Sequence, residues 1–306
     1  MTRRKALVSL RVVMREAVVC GWERPIVTIK TKKEENKMNW KNLLCGTIVC
    51  AGVGLMAQEA ASLPAQEEDS WRPEVKLSID YKTRYLSKGR VCNHDRTMFG
   101  DLSLSLKGAY VGIWNAFDLT DSNGYRNETE EFDFYAGYGY TIGDLGDTIK
   151  SITIDGSWWY YRYPSAHSGD SWELCLNVSL ETFLSPGFEI YYDVENDFAY
   201  AGLYAGYDFV IPGTDDKLTW TNKAELWWGS TRYNYCGEAY PDTYKNAIFS
   251  LVYDTGLTYA FNKHISASVF GEIGWLLDDD IREYHKDRPR SNAVNCLVGA
   301  NVTFKY

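Results

Sequence analysis

Hydrophobic and polar residues alternate with a period of two along most of the chain after residue 72. In WELCLNVSLETFL (residues 172–184), the even positions from 172 to 180 hold Trp, Leu, Leu, Val and Leu, and the odd positions between them hold Glu, Cys, Asn and Ser. Successive side chains of a β-strand point to opposite faces, so this pattern predicts a strand with one apolar face. The same alternation appears in VKLSIDYKTRY (75–85) and HISASVFGEIGWLL (264–277).

Alternating segments of this kind recur to the last residue, and they are longer than the usual strand of a soluble protein. They predict strands at residues 74–86, 98–107, 110–121, 130–141, 149–163, 171–184, 187–195, 198–211, 217–233, 244–261, 264–277 and 292–306.

The connections between these strands fall into two classes. Short turns follow the even-numbered strands up to the tenth, and longer polar loops follow most of the odd-numbered ones, such as SKGRVCNHDR and DDDIREYHKDRPRS. Short turns at one end, long loops at the other and an even strand count are typical of bacterial outer-membrane barrels. We therefore predict an all-β fold, a closed antiparallel up-and-down transmembrane β-barrel of about 12 strands. The alternative is a secreted soluble β-sandwich or lectin.

The closing segment GANVTFKY alternates without a polar tail. In lipid every backbone N–H and C=O needs a partner within the protein. We therefore expect this segment to pair with the first strand and complete the ring.

The N-terminal part is basic, with a net charge of +7 over residues 1–57 against −16 over the remainder. The segment MNWKNLLCGTIVCAGVGLMA resembles a secretory signal peptide. We predict that residues 1–37 are an upstream extension ahead of the true start, 38–57 a cleaved signal peptide, 58–72 an acidic linker and 73–306 the barrel. Cleavage near Ala61 or Ala65 is an alternative to cleavage after Ala57.

This organisation predicts export to the bacterial outer membrane. We expect the barrel to contact outer-membrane lipid, and the barrel assembly machinery to recognise its C-terminal strand. The acidic mature part would repel nucleic acid, which excludes that class of partner. The pattern leaves the oligomeric state open.

Three stretches resemble a known family. SIDYKTRYLSKGR (78–90) is similar to the opening of the TorF-type porin family, and GAYVGIWNAF (108–117) and ETEEFDFYAGYGYTIGD (128–144) resemble the segments that follow. The matching positions are Tyr81, Arg84, Tyr85, Gly89, Gly112, Trp114, Glu131, Asp133, Tyr135, Gly137 and Tyr138. Lys88 stands where such sequences usually have Arg, and Asn115 replaces a smaller residue. The resemblance covers residues 75–144 and implies an outer-membrane barrel with a pore, without a defined substrate or catalytic residues.

If the apolar set faces lipid, the polar set faces the lumen, with about 15 carboxylates against about six basic residues. The predicted pore-lining residues are Lys76, Asp80, Lys82, Arg84, Asp101, Lys107, Asp133, Glu173, Glu181, Glu189, Asp193, Asp208, Lys223, Glu225, Glu272 and Lys305. Most of the basic residues lie on the first, second and last strands, and we expect them to form one wall opposite the carboxylates of strands six to nine. Such a lumen predicts a porin or channel for small polar, cationic solutes.

Two alternatives to an open pore are a lumen plugged by its own side chains, and a surface-interaction barrel that acts through loops 87–97, 234–243 and 278–291. The motif His264-Ile265-Ser266 is explained better by a turn histidine than by catalysis, so we predict no enzyme activity and no catalytic residue. The run Asp278-Asp279-Asp280 is treated as solvated, and we predict no metal site and no cofactor. Cys92 and Cys236 are the candidate disulfide pair.

Overall fold

A computed structural model describes residues 71–120, 128–164, 169–287 and 291–306, and the backbone of two short strands near the N-terminus, Val13–Glu16 and Pro25–Thr28, which pair with each other. The predicted signal peptide and most of the predicted linker lie outside the described residues, as does most of the predicted upstream extension.

Twelve antiparallel strands form the closed barrel. They are β1 (Glu74–Lys82), β2 (Thr97–Leu106), β3 (Ala109–Asp118), β4 (Thr129–Ile142), β5 (Ser151–Arg162), β6 (Ser171–Glu181), β7 (Gly187–Asp193), β8 (Phe198–Val210), β9 (Leu218–Gly229), β10 (Ala247–Asn262), β11 (Ile265–Leu276) and β12 (Val294–Lys305).

Each strand pairs with its neighbours in sequence, and the ring closes where β12 pairs with β1. The register runs from Gly299 opposite Lys82 to Lys305 opposite Lys76. Backbone hydrogen bonds between Val75 and Tyr306 extend the seam to the last residue. The predicted fold class and the predicted pairing of the last strand with the first are therefore confirmed.

The two faces of the sheet follow the alternation in the sequence. Leu174 is 49% exposed and Val269 57% exposed on the outside, whereas Glu173 and Glu272 are buried on the inside. The barrel therefore carries aliphatic side chains outwards and charged side chains inwards, and buried aromatic rings such as Phe99, Trp114 and Trp159 share the inner face with the charges.

The main departure from the predicted strands is at the end of β1. The sequence predicts a strand to residue 86, but β1 ends at Lys82 and the chain bends at Thr83 and Arg84. It then forms a hairpin of two short strands, Tyr85–Ser87 and Arg90–Asn93. Every residue from 85 to 93 is buried, so this segment, which we call the lumen hairpin, lies inside the barrel instead of outside it.

The long-loop end of the barrel also carries short helices: α1 (Thr231–Asn234), a 3-10 turn (Pro241–Thr243) and α2 (Asp279–Lys286). Asp278 caps α2 by accepting hydrogen bonds from the backbone of Asp280 and Ile281. Within the described ranges, no helix is long and apolar enough to cross a membrane.

The acidic triplet 278–280 is used by local contacts. Lys245 Nζ lies 2.8 Å from a carboxylate oxygen of Asp278 and 2.5 Å from one of Asp280. Hydrogen bonds to these two carboxylates raise the pKa of Lys245. The lysine therefore ties the segment before β10 to the start of α2.

No disulfide joins Cys92 to Cys236, and all four cysteines in the described part of the chain are thiols. Cys92 is buried with the lumen hairpin, and Cys236 is buried beside the 3-10 turn, where its amide donates to Thr243 Oγ1. The predicted pairing is not found because each thiol is enclosed in its own packed environment.

Candidate functional site

The lumen hairpin turns at Lys88 and Gly89, whose φ angles are +51° and +78°. Positive φ at both central residues, with Ser87 paired to Arg90 across the turn, is the pattern of a type I′ hairpin. Glycine at the second position favours this turn, because it adopts positive φ without steric cost. The sequence SKGR therefore forms a tight turn whose tip carries a lysine.

The tip of the hairpin is fixed to the opposite end of the chain. Ser250 Oγ on β10 donates to the carbonyl of Lys88 at 2.7 Å, and Asn295 Nδ2 on β12 donates to the carbonyl of Gly89 at 3.1 Å. Gly274 on β11 lies directly against Gly89, and a Cβ on Gly89 would be 3.2 Å from the Gly274 Cα. Two glycines thus allow hairpin and wall to meet backbone to backbone.

Arg90 attaches the second strand of the hairpin to the loop end. Its Nη2 donates to Asn234 Oδ1 at 2.9 Å, and its guanidinium lies 4.0 Å from the ring centroid of Phe249 and 4.9 Å from that of Tyr233. The hydrogen bond and the two aromatic faces surround a fully buried cation. The hairpin is therefore fixed at its tip and along its side.

Lys88 lies in an aromatic cage, which we define as the rings of Tyr191 (β7), Tyr200 (β8) and Trp227 (β9). Its Nζ is 4.6 Å from the Tyr200 centroid, 5.0 Å from that of Trp227 and 5.6 Å from that of Tyr191. All three distances are within the reach of a cation–π interaction. The lumen hairpin thus extends across the lumen from β1 to the wall formed by β7–β9.

Each ring of the cage donates a hydrogen bond to a carboxylate. Tyr200 Oη donates to Glu173 at 2.7 Å, Tyr191 Oη to Glu189 at 2.7 Å, and Trp227 Nε1 to Glu225 at 2.9 Å. All three carboxylates are buried and act electrostatically on Lys88. Glu225 also forms an ion pair with the buried Lys223.

Tyrosine–carboxylate pairs continue along the inner face below the hairpin. Tyr135 donates to Asp101 at 2.7 Å and Tyr110 to Asp155 at 2.8 Å. The Tyr135 ring lies over Gly112 on the neighbouring strand, where a Cβ would overlap it. Glycine at this position of the TorF-like segment therefore has a packing role.

The predicted pore-lining residues divide by burial. Those buried on the inner face are Lys82, Asp101, Asp133, Glu173, Glu189, Asp193, Lys223, Glu225 and Glu272. Lys76, Asp80 and Lys305 occupy inward positions but are only partly buried, and Glu181 and Asp208 are exposed near the turn end. Lys107 is exposed in the turn after β2, with its Nζ 3.9 Å from the Trp71 ring. Arg84 lies in the bend after β1 and not on the strand.

The predicted basic and acidic walls are only partly separate. Lys76, Lys82 and Lys305 lie on β1 and β12, and Glu173, Glu189 and Glu225 lie on β6, β7 and β9. Asp101 on β2, however, places a carboxylate among the basic residues, and Lys223 on β9 lies among the carboxylates. The lumen hairpin moves a further cation, Lys88, to the acidic side. Because carboxylates recur around the ring, the charges mix at close range.

Several inner charges were missing from the predicted set. They are Glu131, Asp155, Asp254, Lys88 and Arg90. The sequence indicates Glu131 only through the family resemblance, and its pattern predicts Lys88 and Arg90 in an outer loop. The Lys-Gly pair between apolar residues Leu86 and Val91 is a hairpin signal that would have pointed to an ordered segment.

His264 lies in the turn before β11 and contacts the end of the closing strand. Its Nδ1 lies 2.7 Å from the carbonyl oxygen of Lys305, and its ring stacks on Tyr306 with centroids 5.3 Å apart. The histidine therefore secures the turn before β11 against the end of the closing strand.

Comparison with known proteins gives structural similarity alone. No family model matches the chain, and no curated protein matches it. The KdgM porin is 10% identical, with a TM-score of 0.42 over 75% of this chain and 98% of that one. The NanC porin is 13% identical, with a TM-score of 0.43 over 75% and 98%. Outer membrane phospholipase A from Escherichia coli is 13% identical, with a TM-score of 0.43 over 76% and 95%. The TorF-type resemblance therefore remains an expectation drawn from the sequence.

Proposed function

We propose that this chain is a bacterial outer-membrane channel for small polar solutes, that it favours cations, and that the lumen hairpin narrows its path. The apolar exterior and the closed ring suit a lipid bilayer, because closure satisfies every strand backbone. The many charged side chains of the interior suit a hydrated path for solutes, whereas the core of a soluble protein seldom buries so many charges.

The observation that carries this proposal is a set of buried carboxylate oxygens without hydrogen-bond partners in the described chain: Asp133 Oδ1, Asp155 Oδ2 and Glu189 Oε1. A buried charge is costly unless water or a counter-ion stabilises it. Water or a permeating cation would therefore stabilise these oxygens. Carboxylates also outnumber basic side chains on the inner face, which favours cations.

Reversal potential tests the selectivity. The refolded protein is placed in a planar bilayer under a KCl gradient. We expect a reversal potential whose sign shows that K⁺ permeates more readily than Cl⁻. Asp155→Asn removes an inner charge and should reduce that preference, whereas Asp147→Asn, in an exposed turn, should leave it unchanged. Preference for Cl⁻ would reject the proposed selectivity, and absence of conductance in every variant would reject the channel.

A second candidate is a structural barrel with a plugged lumen, and the complete burial of residues 85–93 favours it. A barrel that acts through its surface loops would have only two of the three proposed loops available, because most of loop 87–97 is buried in the lumen. Single-channel recording separates the two functions, since a plugged barrel gives no unitary current.

Export is part of the same proposal. We expect residues 38–57 to be removed as a signal peptide and the barrel assembly machinery to insert the chain through β12. Cell fractionation with sequencing of the mature N-terminus tests this step. Recovery from the inner membrane or the medium would contradict it.

A further inference from the structure

We propose that the aromatic cage of Tyr191, Tyr200 and Trp227 is a binding site for organic ammonium cations, and that Lys88 occupies it as a tethered competitor. The inference deepens the proposed channel function by naming a class of ligand for its lumen. It rests on that function only for transport, because binding at the cage has its own test.

The cage has the features that recognise an ammonium group. Three aromatic faces surround the Lys88 Nζ at 4.6–5.6 Å, the arrangement by which proteins bind alkylated ammonium ions. The Oη and Nε1 atoms of the rings donate their hydrogen bonds to carboxylates. The ring faces are therefore left to contact an apolar, positively charged group.

Negative charge reinforces the site. Glu173, Glu189 and Glu225 accept hydrogen bonds from the rings, and all three carboxylates are buried and act electrostatically on Lys88. Glu189 Oε1 has no hydrogen-bond partner in the described chain. A small metal ion would prefer oxygen ligands to ring faces. An alkylammonium ion uses both the rings and the field of the carboxylates, so it fits this environment better.

Lys88 is itself a primary alkylammonium, and its position shows how such a group enters the cage. The type I′ turn places it there from across the lumen, while the hydrogen bonds from Ser250 and Asn295 hold the turn. A group attached through a short connection competes as if it were present at millimolar concentration. A free cation must therefore displace the Lys88 side chain from the rings of β7–β9, while the turn itself stays attached to β10–β12.

Lys88→Gly vacates the cage with little change to the turn, because glycine tolerates the positive φ at this position. Lys88→Arg is the matched control, since it retains a cation for the rings. Isothermal titration of the refolded barrel in detergent with choline chloride, at constant ionic strength, reports binding without any need for conductance. We expect Lys88→Gly to bind choline at least about tenfold more tightly than the wild type or Lys88→Arg.

Loss of the rings should abolish that gain. In the Lys88→Gly background, Trp227→Leu removes one wall, and Tyr200→Leu is a second choice if the first fails to refold. Equal choline affinity in Lys88→Gly and the wild type would overturn the inference, and so would binding that survives removal of the rings. If the barrel conducts but does not show the predicted choline binding, the proposed binding site is wrong and the proposed channel function stands. If choline binds as predicted but the barrel never conducts, the proposed binding site stands and the proposed channel function is wrong.

Discussion

A methyl group added at Gly274 should loosen the lumen hairpin. The Cβ of an alanine there would overlap the backbone of Gly89. The barrel wall is a continuous ladder of strand pairs, whereas the hairpin tip is held by a few contacts, so the tip should move. Gly274→Ala is therefore a steric test of whether the hairpin is docked as described.

The size of the effect follows from the hydrogen bonds at the point of overlap. Displacing the tip breaks the bonds from Ser250 and Asn295 to the two turn carbonyls. A neutral hydrogen bond contributes about 0.5–1.5 kcal/mol, so the docked state should lose about 1–3 kcal/mol. At roughly 1.4 kcal/mol per factor of ten, the undocked population should rise about 5- to 150-fold.

The native thiol of Cys92 provides the assay, because it lies in the hairpin and is only 3% exposed. Its labelling by a maleimide, located by peptide mass spectrometry, should accelerate by the same factor, since slow chemistry on an opened segment follows its population. Gly271→Ala, on the same strand, is the control, because the nearest contact of its Cβ would be an ordinary 3.5 Å. Unchanged labelling of Cys92 in a correctly folded Gly274→Ala barrel would refute the docking described above.

Three further predictions concern stability. Gly112→Ala should lower the free energy of unfolding in urea by about 1–3 kcal/mol, because its Cβ overlaps a tyrosine ring, whereas Gly156→Ala meets nothing and should not; equal effects would contradict the packing argument. Glu225→Gln removes the ion-pair partner of the buried Lys223, on which Glu189 and Asp254 also act electrostatically, and should lower the free energy of unfolding by about 1.5–3 kcal/mol in the same assay; an unchanged free energy of unfolding would contradict the buried ion pair. Because two aspartates raise the pKa of Lys245, the tether it forms should be complete below the usual lysine pKa of about 10.4 and lost as pH rises through the higher value; amide protection factors of α2, corrected for the intrinsic exchange rate, that stay constant over this range would oppose it.

The fold was predictable because one physical rule applies to the whole chain. A sheet with an apolar outer face and a charged inner face must alternate apolar and polar residues along every strand. The pattern of β6 or β11 can therefore be recognised from its own sequence, without knowledge of the strands beside it. The pairing of the last strand with the first followed from the same rule. Strand ends do not follow from this rule: Thr83 still bonds to Val298 of β12, but residues 84–86 continue the alternation after the chain has turned into the lumen.

The site was only partly predictable, and the lumen hairpin explains why. Its sequence is polar and charged, which is also typical of an exposed loop, and nothing local distinguishes a Lys-Gly turn in water from one inside a barrel. The cage likewise combines residues from β7, β8 and β9 with a lysine more than a hundred positions earlier. Such a site exists only after the ring has closed, so it leaves no local signature.

The position of the hairpin constrains how the molecule is assembled. It follows directly after β1, one side of the seam, while its anchors Ser250, Gly274 and Asn295 belong to the last three strands. The contacts of the hairpin tip can form only when these three strands are in place, so its docking is a late step of folding. Once docked, it adds long-range contacts across the seam to those of the β1–β12 ladder.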